Sequence, residues 1–348
     1  MGTANTTTPP DFDRQPQDTP GRDEDVDGAS EIGDESRNVS RHGVHRMLTR
    51  NQFCSALVVV VCILPLPSLP QTNDTDMKSE KYTEPISRGQ RVFTCGHSFH
   101  VWVAGILNEM ARAAGIPDHR AVGVSAIGGS RVIQHWDVPE EKNEARKALR
   151  ACTVDVLTLS PIWLPDEGIE KFAKLAVEHN PNVRVTVQEY WLPNDEYVPV
   201  YPLQTRKQVD HNAATIAELR RQHELYFRDM DECVRDLNKQ LGKDAVLVVP
   251  AGQAVIALRE KIIAGQAPGL KAQAELFTDS WGHPTPPVMA LATYCHFAVI
   301  YRRSPVGLPI PGVIANWNEQ LNRLLQELAW DAVIHHPLSG VRVKDERK

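Results

Sequence analysis

Five short runs of β-branched and apolar residues, each followed by a stretch of helical periodicity, constrain this chain more than any other feature. They are Arg91–Cys95, His119–Ser125, Val154–Ser160, Val183–Glu189 and Ala245–Pro250. Helical spacing is expected over Phe99–Ala114, Glu140–Ala151, Glu167–His179, Lys207–Leu241 and about Gln253–Ile263, with Pro287–Tyr301 as the last helix of the core. Stops agree with these bounds: Gly115 and Gly242 suit helix C-termini, and Asn180-Pro181 cannot continue a helix. Near-continuous apolar strands that alternate with helices belong to a parallel sheet covered on both faces. The expected fold is doubly wound α/β with five parallel strands, in one domain over about residues 90–305. The segment 306–348 is expected as a C-terminal extension with one helix, Ala315–Val333.

The first 89 residues have a different character. Residues 1–46 hold ten Asp/Glu and five Lys/Arg with almost no aromatics. Such a stretch cannot bury enough apolar surface to offset chain entropy, and disorder is expected. Arg50 then precedes the apolar run Ala56–Leu64, and Pro65, Pro67 and Pro70 follow it. A cation, a short apolar run and a turn-rich flank form the layout of a secretory signal, expected over 47–70. The run falls short of the roughly 20 apolar residues that span a bilayer. Met47 would then be the native start, and 71–89 a polar linker to a secreted or periplasmic domain.

Charge and cysteine content exclude two classes. The net charge is -6, of which 1–46 carry -5, so the body is near neutral and lacks the basic face that nucleic acid requires. Cys54, Cys62, Cys95, Cys152, Cys233 and Cys295 form no CxxC pair and have no histidine at zinc spacing. Buried free thiols are expected ahead of disulfides.

Two separated segments carry chemistry. Ser98 follows the first strand, between Gly96 and the expected helix from Phe99, at the sheet edge where α/β proteins bind ligands. Backbone N–H groups at a helix start point towards such a position and can stabilise an oxyanion. Far downstream, Phe277-Thr278-Asp279-Ser280-Trp281-Gly282-His283-Pro284 precedes the last core helix. A serine hydroxyl needs an imidazole to take its proton, and a carboxylate on the other ring nitrogen fixes the tautomer. Ser98, His283 and Asp279 therefore read as nucleophile, base and orienting acid. Trp136, Trp163, Trp191 and Trp281 fall in loops expected at the same edge, where aromatics can form a platform for a sugar or acyl group.

These blocks resemble the SGNH/GDSL hydrolase superfamily over about residues 90–305. Gly96-His97-Ser98 is similar to the family's first block, with His97 where Asp is usual. Asp279 and His283-Pro284 are similar to the last block, with three residues between acid and base in place of two. The resemblance implies a flavodoxin-like three-layer α/β/α sandwich and an oxyanion hole formed by the Ser98 N–H and a glycine N–H. Either Gly128 or Gly129 in Ala126–Arg131 fits that glycine, and Gly128 is preferred. The third block, Gly-x-Asn-Asp, has no counterpart: Ser160-Pro161-Ile162-Trp163-Leu164-Pro165-Asp166 contains no Asn. Ser160 and Gln188 are candidate substitutes, and Trp163, Gln188 and Trp281 are candidate cleft residues.

The function so implied is ester hydrolysis through an acyl-enzyme on Ser98, on O-acyl esters of carbohydrates or small acyl esters. No cofactor, no metal and no nucleic-acid partner is implied. Two alternatives stand: a non-catalytic binding module on the same fold, and an envelope-anchored interaction protein.

Overall fold

Five strands form one all-parallel sheet in the order β2-β1-β3-β4-β5: β1 Arg91–Gly96, β2 Arg120–Ala126, β3 Val156–Leu159, β4 Arg184–Gln188 and β5 Val246–Val249. This is a computed structural model, and it describes residues 83–198 and 208–342. The polar stretch 1–46, the signal-like segment 47–70 and linker residues up to 82 lie outside the described residues.

The central strand β3 and the edge strand β5, which the C-terminal segment covers, are wholly buried, which explains their apolar sequence. The edge strand β2 differs, with Val122 and Val124 exposed. In register, Leu157 of β3 faces Phe93 of β1 on one side and Val185 of β4 on the other. Strand order reverses between β1 and β3, so the crevice at their carboxyl ends is where this topology places ligands.

Among the described residues, eight α-helices cover the sheet. Those with α1 Val103–Ala113 are α6 Ala251–Ile263, α7 Pro286–Tyr301 and α8 Glu319–His335. The others are α2 Val132–Trp136, α3 Glu144–Arg150, α4 Glu167–His179 and α5 Ile216–Leu241. Helix α7 is apolar all round and almost wholly buried, wedged among α1, α6 and α8. The C-terminal segment belongs to the same body: α8 packs on α6 and α7, and the Val248 N–H of β5 donates to the Leu338 carbonyl at 2.9 Å.

Four expected helices differ from the sequence reading. The first begins at Val103, not Phe99, because residues 98–102 form turns, and the last begins at Glu319, not Ala315, where Asn318 caps it. The stretch Glu140–Ala151 divides because the Asn143 side chain accepts from the Arg146 N–H at 3.0 Å and caps a new helix, α3. The long helix begins at Ile216, not Lys207, because Thr215 caps it. Residues 208–214 are committed elsewhere. His211 bonds Asp195, and the Asn212 side chain accepts from the Ala274 N–H at 2.9 Å. Val209 and Ala213 therefore lie ahead of the helix.

Candidate active site

The turn after β1 exposes the Ser98 side chain, while its neighbours are buried. His97 is held in place by its Nε2–H, which donates to the Ser160 carbonyl at 3.1 Å. That bond ties the serine turn to the exit of β3. Burial, and then the nearby His100, push the His97 pKa down to about 3, so the ring is neutral and its single proton sits at Nε2. Trp102 donates from its indole N–H to the Ser98 carbonyl at 2.9 Å and closes the turn from the other side.

His283 reaches Ser98 from the segment before α7. The Ser98 hydroxyl donates to His283 Nε2 at 2.9 Å, and His283 Nδ1–H donates to Asp279 Oδ2 at 2.7 Å. An ionised carboxylate can only accept, so the ring proton belongs on Nδ1 and Nε2 is free to accept from serine. Partial burial works against the Asp279 charge. The His283 N–H, the His283 ring and the Trp281 N–H outweigh it and hold the pKa below the usual carboxylate value.

The extra residue between Asp279 and His283 is absorbed by a local turn. Asp279 Oδ1 accepts from the Trp281 and His283 N–H groups at 3.0 and 3.1 Å, leaving Oδ2 for the ring. Gly282 makes the reversal at φ +84, a conformation that a side chain would strain. Phe277 and Pro284 then pair across the base of the hairpin. Two outside groups grip it. Trp191 Nε1–H donates to the Gly282 carbonyl at 2.9 Å, and His211 Nε2 lies 3.0 Å from the Asp279 carbonyl.

On the oxyanion side, Gly128 and Gly129 follow β2, with Gly129 at φ +60. Neither the Ser98 nor the Gly128 N–H has an intramolecular acceptor among the described residues. The loop is fixed by His135, whose ring bridges the Ser125 and Ser130 hydroxyls at 2.7 and 2.8 Å. Asp166 reinforces it from β3's side, accepting from the Val132 and Ile133 N–H groups at 2.6 and 3.0 Å.

Several expected site residues lie elsewhere. Gln188 is fully buried, and its amide is used up. Oε1 accepts from His100 Nδ1–H and His296 Nε2–H, both at 2.9 Å, and Nε2 donates to the Phe99 carbonyl at 3.1 Å. It is a structural knot under the nucleophile turn, neither a cleft residue nor an oxyanion donor. Ser160 is buried beside His97 and does not replace the missing Asn. Trp163 is buried at 6 % exposure, so it does not line an open cleft. The aromatic platform also dissolves: Trp136 ends α2 and packs edge-on against Phe172 at 5.2 Å, and Trp191 is a buried anchor. Trp281 alone of the four is both partly exposed and beside the base.

Sequence reasoning passed over a buried group behind Asp279. Arg259 of α6 donates to both Asp195 oxygens, at 2.5 and 3.0 Å, and to the Gln273 side chain at 2.7 Å. Asp195 Oδ2 in turn lies 2.9 Å from His211 Nδ1. His211 was hidden inside the expected helix from Lys207. The signal that could have separated it is Thr215 ahead of Glu218, a capping pattern that starts a helix there.

The fold has five parallel strands in the flavodoxin-like order β2-β1-β3-β4-β5 between two helical layers. Solved structures similar to the chain include a DUF4886 family protein from Bacteroides uniformis, at 15% identity and a TM-score of 0.45, covering 71% of this chain and 95% of that one. A Parabacteroides merdae protein named as a GDSL-like lipase matches at 13% identity and a TM-score of 0.34, covering 71% and 96%. A gut microbial diltiazem-metabolizing enzyme matches at 13% identity and 0.33, covering 62% and 47%. No protein-family model matches the chain, and no curated protein matches it by sequence.

Proposed function

We propose that this chain is a serine ester hydrolase of the SGNH type. The observation that carries the reading is the unbroken Ser98–His283–Asp279 relay, with contacts of 2.9 and 2.7 Å, at the carboxyl edge of a parallel sheet. Both distances lie within reach for proton transfer. Ser98 Oγ attacks the ester carbonyl as His283 Nε2 takes its proton. His283 returns that proton to the leaving alcohol, and Asp279 stabilises the imidazolium between the two steps. Water, activated by the same ring, then releases the acid from the acyl-serine. The Ser98 and Gly128 N–H groups hold the oxyanion.

The site is open: Ser98 and Asp279 are exposed, and His283 is half-buried. That supports small acyl esters or acyl groups on a carbohydrate, with Trp281 as flat apolar surface beside the base. One fewer oxyanion donor costs roughly 10²–10³ in rate, so a slow enzyme is expected. Segment 47–70 is part of the same proposal, as the export signal of a secreted or periplasmic enzyme. N-terminal sequencing of the native protein tests that part, and retention of residues 1–46 rejects it.

A fluorophosphonate probe tests the hydrolase reading. It should label wild-type protein on Ser98, and Ser98→Ala should lose both the label and cleavage of p-nitrophenyl acetate. If the wild type neither takes the label nor cleaves short p-nitrophenyl esters, the reading falls in favour of a binding module on this fold.

A further inference from the structure

His211 sits with an acceptor on each side of its ring. Nδ1 faces Asp195 Oδ2 at 2.9 Å and Nε2 faces the Asp279 carbonyl at 3.0 Å. Neither acceptor can donate. Asp195 is ionised against Arg259, and a carbonyl carries no proton. A neutral imidazole would set a lone pair against one of them, so the geometry calls for a proton on both nitrogens. We infer that His211 is a cationic positioning residue for the hydrolytic site, which hangs the Asp279 backbone on the buried Asp195–Arg259 pair. This inference rests on the hydrolase reading above.

Of the charged groups around the ring, Asp195 favours that assignment and Arg259 opposes it. Asp195 comes from the 3₁₀ turn Pro193–Asp195 after β4, Arg259 from α6 and Asp279 from the acid–base hairpin. Arg259 also donates to the His211 carbonyl at 2.9 Å and lies over the Phe277 ring, 5.5 Å from its centre. The His211 ring packs against the same Phe277, with centroids 4.5 Å apart. Burial disfavours charge on His211. The Asp195 hydrogen bond and charge, together with the Asp279 carbonyl, outweigh burial and the opposing Arg259, and the pKa is raised. The Asp279 carboxylate is shaped by its own turn. Where that turn stands relative to Ser98 is set from outside, by His211 on the Asp279 carbonyl and Trp191 on the Gly282 carbonyl. Small displacements of a catalytic group carry large rate penalties.

Three variants test this: His211→Ala, His211→Gln, which keeps a donor but no charge, and Asp195→Asn, which keeps the shape but removes the carboxylate. With p-nitrophenyl acetate, kcat should fall on the order of 100-fold for the alanine variant and about tenfold for the glutamine variant, with KM within about twofold. In the wild type kcat should decline on the alkaline side as His211 loses its second proton. Asp195→Asn should move that decline to lower pH, and His211→Gln should abolish it. Nitrogen-15 NMR should find both His211 ring nitrogens protonated at neutral pH. A bare ring nitrogen at neutral pH overturns the inference, as does an alkaline limb that survives in His211→Gln. Should the alanine variant fail to fold, the other two still decide through the pH profile. Failure of the hydrolase reading is distinct, because it shows in the wild type alone as absent labelling and hydrolysis, and it takes this inference with it.

Discussion

The ring of Phe99 lies almost flat against the imidazole of His283, with centroids 4.5 Å apart and planes 28° from parallel. Phe99 is buried and packs edge-on to Tyr190 at 4.8 Å and against Trp191 at 5.6 Å. The base therefore rests on an aromatic floor built from the residues that leave β1 and β4. The two hydrogen bonds fix where the ring nitrogens point, and the floor fixes the tilt of the ring. Phe99→Leu keeps an apolar side chain of similar bulk and removes the flat face. Its stability cost should be about 1 kcal/mol, while kcat should fall roughly tenfold with KM little changed. Steady-state kinetics beside a thermal unfolding curve checks both. An unchanged kcat would mean that the hydrogen bonds alone hold the ring.

Asp279→Asn has a derivable outcome. Asp279 Oδ1 accepts two backbone N–H groups, so the amide oxygen of an asparagine takes that position and the NH₂ turns to His283. The NH₂ can only donate, which forces Nδ1 to accept and moves the ring proton to Nε2. That tautomer cannot take the Ser98 proton. Turnover should drop on the order of 10³–10⁴-fold with the fold intact. In the wild type the Asp279 pKa is lowered by the His283 and Trp281 contacts, so its charge is kept as pH falls to the usual carboxylate value. Loss of activity between pH 6 and 5 should therefore not follow Asp279, and a pH–rate profile of the two proteins compares them directly.

The strands and most helices were legible because their signals are local: β-branched runs for Val156–Leu159 and Val246–Val249, and helical periodicity for Glu167–His179, whose bounds match residue for residue. The pairing of Ser98 with His283 was legible too, since topology brings the exit of β1 and the loop before α7 to one edge. What misled was burial decided by tertiary partners. Gln188 looks like a polar residue at a strand end, yet two histidines and a carbonyl claim its amide. Lys207–Thr215 continues a helical pattern, yet His211 and Asn212 are drawn into contacts with Asp195 and Ala274. The spacing of Asp279 and His283 looked one residue too long, and only the φ of Gly282 accounts for it.

Asp166 joins two elements through one carboxylate. It accepts from Val132 and Ile133 at the start of α2 and from Gly168 at the start of α4, at 2.6, 3.0 and 3.0 Å. Burial raises its pKa in spite of these bonds, so part of their strength offsets the desolvation of the charge. Asp166→Ala strands three N–H groups and should cost about 3 kcal/mol of stability, read as a shift in the urea midpoint. Because α2 follows the Gly128-Gly129 loop directly, kcat should fall as well. Loss of stability without loss of kcat would show that Ser125, Ser130 and His135 hold the loop unaided.

The buried histidines make acid the weak direction for this fold. His100 and His223 are enclosed, their rings hydrogen-bond to no carboxylate among the described residues, and burial pushes each pKa from the ordinary 6.5 down to about 4. Their rings are held neutral by geometry as well. His100 Nε2 accepts from the Thr158 hydroxyl at 3.0 Å, and His223 Nε2 accepts from the Leu192 N–H at 3.2 Å. A base whose folded pKa is depressed gives its full stability above the unfolded value. It loses that stability as pH falls from about 6.5 towards 4, because the unfolded chain takes up the proton first. Each such histidine adds a slope approaching ~1.4 kcal/mol per pH unit across that window. Unfolding free energy measured from pH 7.5 to 4.5 should be flat at first and then fall by more than one proton's slope. His223→Gln lies apart from the Ser98–His283–Asp279 relay and should reduce that slope by about one proton while lowering stability at pH 7.5. A wild type equally stable at pH 7 and pH 5 would show that these rings titrate alike in the folded and unfolded chain, and so are open to water.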